Sequence, residues 1–223
     1  MSGPVIEAGL MNRRTAIASV LVQRPYLLSG ADESRMEQMA EAMGRMGRGW
    51  NAAFLEATVE DALERTIEPV CYAQALRRIA YHKSVGDVVV IASASVEQVV
   101  RPIATMLGAD EVLASQAAID EDGCFTGEMT HFNQAQGKAD ACAQLAHARG
   151  WDLSQCSAYS ASLSNAPLLR LVGHPSAVNP DRALRPLAER AGWPTLTLPS
   201  HVRVLFRPLP HSAKSAVPLP PAL

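Results

Sequence analysis

The chain has 223 residues, 48% hydrophobic and 19% charged, with 20 Lys and Arg against 22 Asp and Glu for a formal charge of −2. That composition supplies the core of one ordinary domain with a modest insertion and excludes a disordered chain. The near-neutral balance, with only short basic pairs such as Arg13-Arg14 and Arg77-Arg78, argues against a nucleic-acid partner.

Four cysteines, Cys71, Cys124, Cys142 and Cys156, lie far apart with no CxxC pair and no histidine at ligand spacing. They indicate neither a zinc site nor a disulfide framework, and read as thiols of a reducing compartment. No stretch approaches 18 uninterrupted apolar residues, and the N-terminus lacks a charged-then-apolar leader pattern. The expectation is a cytoplasmic protein with no membrane partner.

The first eighty residues read as helical. Apolar residues recur at helical spacing through Ala16, Val20 and Leu21, then Met36, Met39, Met43 and Met46, then Ala62, Leu63 and Ile67. The methionines predict a core stripe. The glycine-rich run Gly44 to Gly49 follows no strand, so it is read as a helix end and turn rather than a dinucleotide loop.

From Asp87 the pattern changes. Val88 to Ala92 is a β-branched apolar run, as expected of a strand covered on both faces. A helix over 96–107, a strand over 111–114 and a hairpin around Glu121-Asp122-Gly123 follow. Next come a helix over 137–149, a strand over 156–159, a helix over 163–172, a strand over 176–178, a helix over 181–191 and a strand over 195–198. This alternation predicts an α/β protein with a doubly wound parallel sheet. The Pro-, Ser- and Ala-rich tail, residues 201–223, is expected to be disordered. The domains expected are a helical cap-like region over 1–80 and an α/β core over 81–200.

Ligands of such sheets sit beyond the carboxyl ends of the strands. Three of those ends offer polar chemistry: Ser93-Ala94-Ser95, Gly137-Lys138 at a helix start, and Tyr159-Ser160-Ala161-Ser162-Leu163-Ser164-Asn165. A hydroxyl, backbone N–H groups and an ammonium at one mouth suit an anion.

In their order and spacing these segments resemble the haloacid-dehalogenase-like (HAD) hydrolases of the phosphoserine-phosphatase type, which carry a helical cap after their first core strand. The resemblance runs from about Gly9 to about Leu198. It includes Gly9 to Arg14, Leu28 to Asp32, Arg48-Gly49-Trp50, Leu107 to Asp110, Asp122 to Glu128, Gly173-His174-Pro175 and Val178 to Asp181. It implies a Rossmann-type HAD core. It also implies that Ser93, with Ala94, holds a transferring phosphoryl group and that Lys138 neutralises it.

The same resemblance exposes two departures. The family's nucleophile and acid/base aspartates follow a central strand that precedes the cap, and the chain opens on cap-like motifs. Glu7, its first acid, is not a nucleophile candidate. The positions of two further family aspartates, which bind Mg²⁺, are held by Ala161 and Asn165. Between Gln155 and Pro180 there is no Asp or Glu at all.

The sequence thus suggests a catalytically degenerate homologue that keeps a phosphate-binding remnant and acts as a binding or regulatory protein. No metal cofactor is expected of it. One alternative is an Mg²⁺-dependent phosphomonoester phosphatase with residues upstream of this sequence. Another is a scaffold recruited to other chemistry on a phosphate- or diphosphate-bearing substrate. The expected partner is a phosphorylated small molecule, with a second copy or a partner chain able to complete the sheet. His131 and His174 are read as structural.

Overall fold

A computed structural model describes residues 33–199. The expectations for Ala16 to Leu21, the cap-like motifs before Glu33, Glu7 and the tail fall outside those residues.

Helix α1 (Glu33–Gly47) and α2 (Ala52–Ala62) come first. The Asn51 side chain caps α2 by accepting the Phe54 N–H at 2.9 Å. Ala52, Leu55, Val59 and Ala62 form its buried stripe. The chain then passes through a π turn, Leu63–Ile67, and a short 3₁₀ turn, Glu68–Val70, into α3 (Ala73–Ser84). Among the α1 methionines, Met39, Met43 and Met46 are only half-buried, so the stripe is a packing edge rather than a core. Among the residues of that helix whose burial is described, the buried one is Gly44. A Cβ there would stand 2.1 Å from the Gly127 carbonyl oxygen, so the glycine is what lets α1 lie against the hairpin.

Strand β1 (Val90–Val96), α4 (Glu97–Leu107) and β2 (Glu111–Ile119) form a parallel unit, with Val90, Ile91 and Ala92 opposite Glu111, Val112 and Leu113. Gly108 closes α4 in the left-handed conformation, φ 75°. β2 turns back into antiparallel β3 (Phe125–His131), as the hairpin signal predicts. The Asp120 carboxylate shapes that turn by accepting the Cys124 N–H at 2.8 Å and the Asp122 N–H at 3.1 Å. β2 runs well past Ala114 because Gln116, Ala117 and Ile119 pair with β3.

Helix α5 (Gln136–Arg149) leads to β4 (Ser157–Ser160), α6 (Ala166–Leu171), β5 (His174–Val178), α7 (Leu184–Ala191) and β6 (Thr195–Leu196). β4, β5 and β6 are parallel neighbours. Each helix and strand predicted from Asp87 to Leu198 is present with shifted ends; the helix over 163–172 begins as a 3₁₀ turn, Leu163–Asn165.

The sheet differs from one continuous doubly wound sheet. It is two three-stranded sheets, β1-β2-β3 and β4-β5-β6. Among the described residues β1 and β4 each keep an edge with no strand partner. That edge is why β1 is half-buried along its length rather than covered, as its composition would have it. The core is divided in the same way. Leu55, Val59 and Phe125 pack with Val99 and Ile103 on one side, while Leu169, Ala177, Leu184 and Ala188 pack with Trp193 on the other.

Two sets of contacts join the halves. α5 packs against β1 and β2 on one side and against α6 on the other. His82, on α3, meets Tyr159, on β4, at 2.8 Å between Nε2 and the phenol oxygen, with the Asp87 carboxylate 2.7 Å from Nδ1.

Asn133, fully buried, ties β1 to β2. Its Nδ2 donates to the Ser93 and Leu113 carbonyls at 2.9 and 2.7 Å, and its backbone N–H donates to Ser115 Oγ at 3.0 Å. Asn133→Ala leaves those carbonyls unpaired and is expected to lower unfolding free energy by about 1–3 kcal/mol in urea titration. Gly44→Ala is expected to cost about 1–3 kcal/mol by overpacking α1 against the hairpin, measured the same way.

Candidate phosphate site

The C-terminal end of β1 is not a regular strand. Between Ala92, opposite Leu113, and Val96, opposite Ser115, the register slips, so Ser93, Ala94 and Ser95 bulge from the ladder. Ser93 Oγ accepts the Ser95 N–H at 3.2 Å, and the Ala94 carbonyl accepts from Ser115 Oγ at 2.8 Å. The Ser95 N–H is therefore occupied. The Ser93 hydroxyl proton takes part in no hydrogen bond among the described residues, which leaves it to donate.

Lys138 lies in the first turn of α5, after a turn whose Ala135 adopts φ 46°, a region that L side chains rarely enter. The residue is only 5% exposed. Its Nζ donates to Asn165 Oδ1 at 2.8 Å. Burial pushes the ammonium below the value of a free lysine. Cys142, one turn further along α5, is pushed up to about 11 by the same burial.

Asn165 joins this group to the third segment. A lysine is donor-only, so the amide oxygen must face it and the amide nitrogen must face away. That nitrogen donates to Ser160 Oγ at 2.8 Å. Ser160 Oγ also accepts the Ser162 N–H at 3.2 Å, and the Ser162 and Ser164 hydroxyls are 3.1 Å apart. Lys138, Asn165 and Ser160 thus form one chain of hydrogen bonds across the two half-sheets. Asn133 links Ser93 to the turn that precedes Lys138. Ala161 is exposed, and its carbonyl accepts the Asp181 N–H at 2.7 Å.

Two residues here are not evident from their types. Asn133 fixes the Ser93 backbone; its asparagine follows a strand like many loop residues, and only burial shows its role. Asp181 brings a carboxylate back to the Ala161 turn, accepting N–H groups from Leu163 at 3.1 Å, Ala183 at 3.0 Å and Leu184 at 2.7 Å. Its oxygens are engaged in capping α7. His174 starts β5 and His131 ends β3; both are exposed.

A hard divalent cation wants several charged oxygens. Ala161 offers no side-chain donor, and the one amide oxygen of Asn165 already accepts from an ammonium. Among the described residues no three His, Cys, Asp or Glu side chains are grouped to hold a metal. These residues do not fit Mg²⁺. An anion fits better, since the buried ammonium has no ion-pair partner among the described residues. No helix among them is long and apolar enough to cross a membrane.

Comparison with known proteins agrees with this architecture. A Streptomyces azureus protein named Inhibition of morphological differentiation protein is 42% identical over 201 residues, 90% of this chain and 73% of its own length. Probable phosphatase Rv3661 of Mycobacterium tuberculosis is 41% identical over 216 residues, 96% of this chain and 75% of its own. A crystal structure of a Bordetella pertussis protein of unknown function superposes with a TM-score of 0.67 at 25% identity, covering 82% of this chain and 81% of that one. The family model described as haloacid dehalogenase-like hydrolase matches residues 5–170. With its parallel α/β halves and that match over residues 5–170, the chain belongs to the haloacid dehalogenase-like hydrolase family.

Proposed function

We propose that this chain is a phosphatase of the HAD family acting on a phosphorylated small molecule, with Ser93 and Lys138 holding the phosphoryl group. The observation that carries this reading is the Lys138 ammonium, buried and, among the described residues, matched only by a neutral amide. An isolated buried charge costs several kcal/mol, and a bound phosphate would offset that cost through charge-assisted hydrogen bonds. Two of the three Nζ donors remain for phosphate oxygens, and the Ser93 hydroxyl adds a neutral donor. The 41% identity to a protein named as a phosphatase supports turnover rather than binding alone.

Hydrolysis by the family route needs a carboxylate nucleophile. In this reading it comes from residues upstream of this sequence, on a strand that would lie parallel to β1 and β4. The end of such a strand would meet the mouth. Residues up to about 80 would serve as the cap, with the core following.

Ala161 and Asn165 favour a second reading, a degenerate family member that binds phosphate without turning it over. Hydrolysis of p-nitrophenyl phosphate by a form of the protein that carries the residues upstream of this sequence separates the two. Measurable release of p-nitrophenolate is expected of that form; binding of phosphate with no release would leave the second reading.

Lys138→Met removes the buried charge while keeping the volume. Its ligand-free melting temperature is expected to equal or exceed that of the natural chain. Its stabilisation by phosphate, about 2.7 kcal/mol in the natural chain at a hundred times Kd, is expected to vanish. A retained phosphate shift would remove Lys138 from the site.

The folded-state pKa of Lys138 lies below the 10.5 of a free lysine. Between the two values the unfolded chain binds the extra proton, so ligand-free stability rises with pH there. Phosphate affinity falls over the same window as the ammonium is lost, and calorimetric titration at stepped pH reads it.

A further inference from the structure

We propose that this site binds phosphate without a divalent cation, and that the neutral side chains at positions 161 and 165 make it so. The proposal rests on the reading of Ser93 and Lys138 as phosphate ligands.

A metal in a phosphate site offsets negative charge from the ligand and from the carboxylates that hold the metal itself. Around Lys138 those carboxylates are missing. Asn165 Oδ1 lies 2.8 Å from Nζ and carries no net charge, so the ammonium keeps its full positive charge for a ligand. The other polar groups of the mouth are the hydroxyls of Ser93, Ser160, Ser162 and Ser164, all neutral. Among the described residues neither of the nearby acids forms an ion pair with the ammonium. Asp181 spends its oxygens on the Leu163, Ala183 and Leu184 N–H groups. Asp140 is exposed on α5 and accepts from Gln136 Nε2 at 2.8 Å.

A carboxylate in place of Asn165 would pair with the ammonium at that short distance and turn a negative charge toward the phosphate. Charge repulsion at a few ångströms in a partly dry mouth is strong. Only then would a divalent cation be required between them. The amide thus removes both the grip on the cation and the need for it.

The test is calorimetric titration of inorganic phosphate into the purified full chain, once with EDTA and once with excess MgCl₂. Dissociation constants within about twofold of one another are expected. Binding seen only with Mg²⁺ would overturn the proposal while leaving the phosphate site intact. Binding in neither buffer would overturn the phosphate reading itself. Asn165→Asp is expected to bind phosphate at least about tenfold more weakly in EDTA and to recover with Mg²⁺. Wild-type affinity of that variant in EDTA would sink the assignment. Ala161→Asp places a carboxylate at an exposed position, where folding is not at stake, and is expected to weaken binding in EDTA in the same direction.

Discussion

Lys138 stands on α5, which packs against β1 and β2, and its ammonium reaches across to Asn165 at the start of α6 in the other half of the molecule. That one hydrogen bond does two things at once. It ties together half-sheets that share no strand ladder, and it fixes a positive charge out of water with no ion-pair partner among the described residues. Charge in such a place is costly alone and strong toward an anion, because the same low dielectric governs both effects. The Ser160 hydroxyl is joined to that ammonium through the Asn165 amide.

The divided sheet follows from the same geometry. A continuous parallel sheet would pair β1 and β4 through a strand between them, satisfying both edges. Among residues 33–199 the two edges are open, and cohesion between the halves falls to α5, the Lys138–Asn165–Ser160 chain and the His82–Tyr159 contact.

Electrostatics, rather than residue count, sets this chain apart from a metal-loaded site. Neutral side chains at 161 and 165 take away the oxygen ligands a hard cation needs. Asp181, the acid at the Ala161 turn, accepts three backbone N–H groups and no cation among the described residues. A functional reading based on family membership alone would give Mg²⁺ a place these residues do not fit.

The sequence by itself determined the order of helices and strands among residues 33–199, the hairpin around Glu121-Asp122-Gly123 and the family, and it singled out Ser93 and Lys138. Those rest on local patterning and short motifs, which survive whatever the tertiary contacts are. It under-read β2, because Ser115 to Ile119 has no strand-like composition and extends only by pairing with β3. It over-read the methionine stripe of α1, where Gly44 makes the close contact, since backbone approach leaves no trace in hydropathy. Only the tertiary structure decided that Asn165 faces Lys138, that Asn133 anchors Ser93 and that Asp181 caps α7. Each is a meeting of side chains far apart in sequence, and burial and distance that depend on long-range packing are not written in any local stretch of chain.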